Sequence, residues 1–352
     1  MLDVSALAGI VSYEPAELVL TALAGTPMGV IEAALAEHQQ CLAFEPPDFG
    51  SLLGVDADGT LGGTVAVGLS GPRRFKAGAV RDHVLGTAAV SGRGEAFVAG
   101  GKVVKNVTGY DVPKLLAGSY GTLAVLTEIT VKVLPRPQDQ RTVVVSGLSA
   151  RDALRLMTSV LQSAIDVSGA CYLPVAPWAE GSVTAFRLEG FAVSVEARLA
   201  ELTARMAASA TGSVSTLDLE TSGEFWRGVR DVRLFDSGAR EALVWRLSVP
   251  PSAAVAVVEQ IERSVADVKL FMDWGGGLIW VAVDSSESAS VIRGALGDCG
   301  GYATLIRAPA DVRASVDVFQ PQSSAVSALV KRLKAQFDPS RVLNPGRMYV
   351  DV

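Results

Sequence analysis

Histidine and cysteine are scarce in this chain, and the shortage excludes several chemistries at once. The 352 residues hold two histidines, His38 and His83, and three cysteines, Cys41, Cys171 and Cys299. Neither histidine has a helical i, i+4 partner, so histidine offers no zinc or iron site and no metal is expected. The cysteines lie far apart, with no CxxC and no disulfide framework, which fits a reducing cytoplasm. Three scattered thiols cannot hold a four-cysteine iron–sulfur cluster. Positive charge is also in short supply. Lys+Arg 31 against Asp+Glu 37 gives a net charge of −6, which argues against nucleic acid as a partner. No apolar run reaches the ~18 residues of a membrane-spanning helix. Met1-Leu2-Asp3 carries no basic stretch or apolar core, so no signal peptide is expected.

What the chain has is small apolar residues. Hydrophobic residues make up 49% of it, although aromatics supply only 6%. The mean hydropathy of +0.34 is high for a chain without a membrane span, and fits fully buried strands and small-residue helices. The length allows two domains with full cores.

Elements alternate along the chain. Leu18–Ala24 reads as a strand, and Met28–Glu37 as a helix with Thr26 near its start and Pro27 in its first turn. Glu45-Pro46-Pro47-Asp48 is a rigid loop. Thr122–Val133 is the longest β-rich run, and Pro135-Arg136-Pro137-Gln138 reads as a linker. Beyond it, strands are expected at Thr142–Val145, Val183–Leu188, Leu243–Val249, Leu270–Trp274, Leu278–Val283 and Tyr302–Ile306. Helices are expected at Ala150–Ala164, Ala192–Ala207, Ser252–Val265 and Ser323–Phe337. This alternation indicates an α+β or α/β layer.

Glycine marks the stretch between Leu61 and Pro137. Gly62, Gly63, Gly68, Gly71, Gly78, Gly86, Gly100, Gly101, Gly109, Gly118 and Gly121 separate short β-rich runs. A glycine lets backbone N–H groups approach a phosphate or a ring closely. Leu61-Gly62-Gly63-Thr64 and Gly68-Leu69-Ser70-Gly71 offer such donors and two hydroxyls, suited to a pyrophosphate or a flavin edge. Ordinary tight turns would use the same glycines. Neither a Walker lysine pattern nor a GxGxxG opening a βαβ unit is present, so P-loop and Rossmann readings are poor.

Several stretches carry a resemblance. They are IVSYEPAELVLTALAGTP (10–27), EPPDFG (45–50), GLSGPRR (68–74), VRDHVLG (80–86) and KNVTGYDVPKLLAGSYGTLAVLTEITVKVLPRP (105–137). DWGGGLIW (273–280) and FDPSRVLNPGRMY (337–349) complete the set. By these the chain resembles, over essentially its full length, the FAD-binding subunits of bacterial glycolate oxidases within the vanillyl-alcohol oxidase type of FAD-linked oxidases.

The resemblance implies an α+β fold with a two-lobed FAD-binding domain, 1–138, and an α/β cap domain, 139–320. A C-terminal segment, 321–352, would return to the flavin site. It implies that Gly62, Gly63, Thr64, Gly68, Ser70 and Gly71 wrap the pyrophosphate and flavin. Backbone groups of Gly121, Thr122 and Ile129 would touch the cofactor, and Asn344 would lie on a turn at its flavin side. A simple turn before Pro345 is the other reading of Asn344. Family members place a further strand and a glycine- and serine-rich loop ahead of a motif like Leu2-Asp3-Val4-Ser5. A truncated first lobe is therefore expected, whether from a misplaced start or a shortened relative.

The implied function is that of an FAD-binding subunit in a multi-subunit 2-hydroxy-acid oxidase, with glycolate as substrate. The hydroxy acid would be oxidised at a homologous catalytic flavin subunit, and electrons would leave through an iron–sulfur subunit. The expected location is cytoplasmic, with peripheral attachment at the inner membrane face through the complex. The histidine-rich metal site of the catalytic relatives is missing, and no catalytic residue is assigned. Neither His83 nor any cysteine sits in a tethering motif, so FAD is expected to be non-covalent. Arg73, Arg74, Arg81, Lys102 and Lys105 make this region basic, suited to a reduced flavin or a phosphate, or to solvent. Lys105-Asn106 and Tyr110-Asp111 would shape the substrate side or cap turns. The five tryptophans, Trp178, Trp226, Trp245, Trp274 and Trp280, read as core. Two rivals remain: a scaffold subunit with weak or no FAD binding, and a stand-alone FAD-dependent D-2-hydroxy-acid dehydrogenase.

Overall fold

A computed structural model describes residues 2–101, 110–175, 181–209, 212–236, 242–285 and 288–352. Lys102, Lys105, Asn106, Gly109 and Trp178 lie outside the described residues. The chain divides into two compact units. One comprises Met1–Gly50, Val55–Arg136 and Gln322–Val352, and the other Ser51–Gly54 and Pro137–Pro321.

The first unit is built on strands β1 (Ile10–Glu14), β2 (Val19–Leu23), β4 (Val84–Ser91), β5 (Ala96–Gly100) and β6 (Ala124–Lys132). They form an antiparallel sheet in the order β1-β2-β6-β4-β5. A two-residue ladder joins β3 (Gln40–Cys41) to β7 (Leu134–Pro135). Its helices are α1 (Met28–Glu37), the short α2 (Gly50–Leu53) leading out of the unit, α3 (Leu61–Val67), α4 (Arg74–Ala77), α5 (Val80–His83) and α6 (Val112–Leu116). Leu20 and Ala22 of β2, paired with Val131 and Ile129 of β6, meet Ile31, Leu35, Leu61 and Val65 in one apolar core. Alternation within the strands produces this face.

One boundary differs from expectation. Leu18 takes φ +59 and ends a 3-10 turn, so β2 begins at Val19. Thr26, expected near the start of α1, holds the turn before it. Its hydroxyl donates to the carbonyls of Leu23 and Gly9 and accepts from the Gly9 N–H, while Pro27 occupies the cap position.

The second unit holds strands β8 (Asp139–Ser146), β9 (Gly169–Leu173), β10 (Val183–Gly190), β11 (Val214–Leu217), β12 (Leu243–Ser248), β13 (Lys269–Asp273), β14 (Leu278–Val283) and β15 (Tyr302–Arg307). They form one sheet, ordered β11-β8-β10-β9-β13-β14-β12-β15, in which every recorded pairing is antiparallel. Of the two layer types that the sequence pattern allowed, this is the α+β one. Its helices are α7 (Ala150–Leu161), α8 (Ala192–Ser209), α9 (Leu219–Arg230), α10 (Ala254–Ser264), α11 (Ser288–Ala295) and α12 (Ala310–Ser315).

Helix α7 buries Ala153, Leu154, Met157 and Val160, and α10 buries Ala254, Val257, Val258 and Ile261, all at helical spacing on one sheet face. The other face carries Thr142, Gly169 and Arg187, side by side across three strands. Helix α9 lies there: the Trp226 indole donates to Thr142, and Ser222 bonds the same hydroxyl. Trp226, Trp245, Trp274 and Trp280 are all buried. The chain finally returns to the first unit as α13 (Ser324–Phe337), whose cap is Ser323. Among the described residues, no helix is long and apolar enough to cross a membrane.

Candidate cofactor site

The glycine-rich stretch is helical at its start. Thr60 caps α3 by accepting from the Gly63 N–H at 3.1 Å. Gly62 faces inward because its N–H donates to the Ala24 carbonyl at 2.7 Å, and a Cβ there would stand 2.7 Å from that oxygen. Only a residue without a side chain lets this helix start approach β2 so closely. The Gly68 N–H closes α3 onto the carbonyls of Thr64 and Val65, and the Gly71 N–H donates to the Phe44 carbonyl. The Ser70 hydroxyl, buried, accepts from the Val80 N–H at 2.9 Å. Thr64 is likewise buried.

The N–H groups of Gly62, Gly63, Gly68 and Gly71, expected to wrap the pyrophosphate and flavin, end on acceptors within the chain. An N–H already well paired has no second proton to give. Ile129 sits at the centre of the sheet, opposite Ala22 on one side and Thr87 on the other, with its side chain in the apolar core. Its backbone is used by the sheet ladder.

A different group of residues is brought together around the turn 118–122. Gly118, Tyr120 and Gly121 all take left-handed backbone conformations, φ +79, +54 and +68. The Gly118 N–H donates to Val65 O at 2.9 Å and the Tyr120 N–H to Ala66 O at 2.8 Å, so the turn satisfies the last carbonyls of α3. Gly68 and Gly118 pack backbone to backbone, with a Gly68 Cβ falling 3.3 Å from the Gly118 Cα. Thr122 is buried, and its N–H and hydroxyl both donate to Ser119 O. Asn344, itself at φ +42, donates from Nδ2 to Tyr120 O at 2.9 Å. Asparagine tolerates the left-handed region better than most residues. Thus Gly68, Gly121, Thr122 and Asn344 meet in one place, whereas Ser70 and Gly71 pack by Val80 and Phe44.

The turn 118–122, with Asn344 beside it, is main chain of a kind that fits a flat ring. A Cβ on Gly101 or Gly118 would meet nothing within 4 Å, and the exposed Gly63 would meet only Thr60 Oγ1, at 3.3 Å. Main chain bared in this way lets a flat ring approach to van der Waals distance. His83 packs on Phe44, ring centroids 5.4 Å apart. Its Nε2 lies 2.9 Å from Ala77 O, and burial holds its pKa below the ordinary imidazole value despite that carbonyl. Asp111 caps α6, accepting from Lys114 N and pairing with Lys114 Nζ, while Tyr110 is exposed. Among the described residues, no three of His, Cys, Asp and Glu gather as a metal site.

The sequence reading missed Lys334, Asp338 and Gly92. Lys334 Nζ donates to Thr122 O at 2.8 Å, Leu343 O at 2.7 Å and Asp338 Oδ2 at 2.8 Å. Asp338 also accepts from the N–H groups of Val342 and Leu343. Burial would raise this carboxyl, but those bonds outweigh it and hold its pKa below the usual 3.8. Gly92 lies under the carboxylate, where any Cβ would overlap it. The i, i+4 spacing of Lys334 and Asp338, at the end of a helix, was the available signal.

Comparison with known proteins agrees with this architecture. A model described as "FAD binding domain" matches residues 1–100, and one described as "FAD linked oxidases, C-terminal domain" matches 321–348. The glycolate oxidase subunit GlcE of Escherichia coli (strain K12) is 37% identical over 359 aligned residues, spanning 100% of this chain and 87% of that protein. The glycolate oxidase subunit GlcD of Bacillus subtilis (strain 168) is 25% identical, covering 87% of this chain and 70% of its own. Among solved structures, an alkyldihydroxyacetonephosphate synthase superposes with a TM-score of 0.65 at 16% identity. That match covers 96% of this chain but 66% of the synthase, and speaks for the fold alone. The chain belongs to the FAD-linked oxidases of the vanillyl-alcohol oxidase type, oxidoreductases whose cofactor is FAD.

Proposed function

We propose that this chain is the FAD-binding subunit of a multi-subunit glycolate oxidase, acting on a small 2-hydroxy acid together with partner subunits. The end-to-end match to a glycolate oxidase subunit carries the reading. In it, 1–138 is the FAD-binding domain, 139–320 the cap and 321–352 the returning segment. The turn 118–122, the bare glycines Gly63 and Gly101, and Asn344 would hold the flavin side of a non-covalent FAD. When bound, FAD would supply two-electron redox chemistry to the complex, the hydroxy acid itself being oxidised at a homologous catalytic flavin subunit.

The chain's own residues position rather than transfer protons. Asn344 keeps its amide oxygen for a ligand while Nδ2 is held by Tyr120. His83 is buried with Nε2 held 2.9 Å from Ala77 O, so it is poorly placed to act as a base or a tether. The proton of the substrate hydroxyl would go to a group on a homologous flavin subunit, and electrons would leave through an iron–sulfur subunit.

The internal use of four glycine N–H groups favours a second reading, a scaffold subunit that holds FAD weakly by itself. One set of measurements separates them. Purified protein is denatured in acid and the flavin followed. Flavin released to the supernatant is expected, and flavin precipitating with protein contradicts non-covalent binding. Colourless protein that refuses added FAD supports the scaffold. Glycolate-dependent dye reduction is expected only with a second flavin subunit and an iron–sulfur subunit present. Robust turnover by this chain alone sinks the subunit reading.

A further inference from the structure

We propose that Lys334 is a positioning residue for the cofactor face, holding the turn 118–122 and Asn344 in register through a buried latch with Asp338; this rests on the reading that FAD lies against that turn. Both side chains are almost wholly buried, 2% and 0% exposed. A buried ammonium is costly unless its three donors are matched. Here all three are: one to the carboxylate, one to Thr122 O and one to Leu343 O.

The two carbonyls are the informative part. Thr122 follows Gly121, and Leu343 precedes Asn344. Lys334 therefore ties together the neighbours of Gly121 and Asn344, two residues with left-handed backbone. A parallel tether runs from Asn344 Nδ2 to Tyr120 O. Gly121 lies between the tethers, and a Cβ there would fall 2.9 Å from Asn344 Nδ2. The segments so joined are more than two hundred residues apart in sequence, with separations of 212 and 224.

The latch is also anchored from outside. Gly92 N–H donates to Phe337 O, and Arg93 Nε and Nη2 donate to Gln336 O, so the end of α13 is held on the β4–β5 turn. Helix α13 itself is mostly exposed. It does not need a buried charge to pack. An apolar side chain of similar volume would fill the space with less desolvation, but would fix neither carbonyl. What the lysine adds is placement of two main-chain segments.

The test uses the full chain and FAD. Lys334→Met keeps the side-chain volume and removes the donors. FAD affinity is read by flavin fluorescence, the flavin environment by visible circular dichroism, and folding by far-ultraviolet circular dichroism at a temperature where each variant is folded. Lys334→Met is expected to weaken FAD binding at least tenfold and to alter the visible dichroism, effects that a purely structural role would leave in folded protein unchanged. Lys334→Arg, which keeps the charge but not a single-nitrogen hub, should lose less. If Lys334→Met does not fold, Lys334→Arg decides by the same readouts. Wild-type affinity and spectrum in the folded variant overturn the latch. Gly121→Ala separates this failure from failure of the site. If Gly121→Ala leaves FAD affinity unchanged, or if the unaltered chain takes no FAD, the site itself is wrong. If Gly121→Ala weakens FAD and the lysine variants do not, the latch alone falls.

Discussion

Each unit of this protein buries one long cation beside a carboxylate, and the two pairs are used differently. In the first unit Lys334 and Asp338 bind main-chain groups, the local Leu343 O and the N–H groups of Val342 and Leu343, and the distant Thr122 O. In the second, Arg187 lies on β10 under the helix that carries Trp226. It pairs with Glu189, bonds Ser168 through Nε and Nη2, and lies 4.7 Å from the Trp226 ring centroid. The guanidinium is planar and stacks on an aromatic, and it specifies which helix covers the sheet. The ammonium is a compact three-donor hub, and it specifies where loops end. The surroundings match this division. The carbonyls held by Lys334 adjoin the left-handed residues Gly121 and Asn344, whereas Arg187 lies over the Trp226 ring.

Removing each cation is the strongest way to break the comparison. Lys334→Met and Arg187→Met each leave a carboxylate buried without its partner, which costs about 3–5 kcal/mol. Urea unfolding should show both losses. Only the lysine variant should also lose FAD affinity while folded; equal effects on FAD from both would erase the distinction.

Glycine substitutions come next. Gly92→Ala pushes a methyl into the Asp338 carboxylate, and Gly169→Ala places one 2.8 Å from Trp226 Cη2. Overpacking of this kind costs about 1–3 kcal/mol. Hydrogen exchange should show the first loosening α13 and the second loosening α9. Exchange that quickens uniformly in both variants would contradict two separately specified units.

Acid should act on the first unit in two steps. His83 and Asp338 both have folded pKa values below their unfolded ones, 6.5 and 3.8. Each therefore contributes stability that is present above the unfolded value and is lost as pH falls through the folded one. The melting temperature should begin to decline below about pH 6.5, and again below about pH 4. His83→Gln should flatten the first decline and leave the second. A profile unchanged by that variant would remove His83 from the account.

The smallest effect concerns Gly63. It is exposed inside α3, so Gly63→Ala should stabilise the apoprotein by about 0.5–1 kcal/mol. If FAD meets the main chain there, the same change lowers FAD affinity. Titration calorimetry beside a melting curve would show the two signs. A gain in stability with unchanged affinity places the cofactor elsewhere.

Helices with clean ends were legible from sequence. Helix α1 runs Met28–Glu37 as expected, and α13 begins one residue after its Ser323 cap. The central strand β6 was legible from its β-rich run, in which Ala124, Leu126, Ile129 and Val131 are buried. The glycine clusters were legible as places of close approach, but not as to what approaches. Gly62 accommodates a strand carbonyl and Gly92 a buried carboxylate. Neither partner is near in sequence, so no local pattern could name it. For the same reason Lys334 read as one more polar residue on an amphipathic helix.

Local chemistry within the chain determined its elements, its scarcity of histidine and cysteine, and the motifs that mark an FAD-linked oxidase. These depend on spacing along the backbone, which the sequence states directly. Only the tertiary structure decided which backbone donors are already spent, and which are left beside the turn 118–122. A hydrogen bond is settled by position in space. The bonds that matter most here join residues 212 and 224 positions apart.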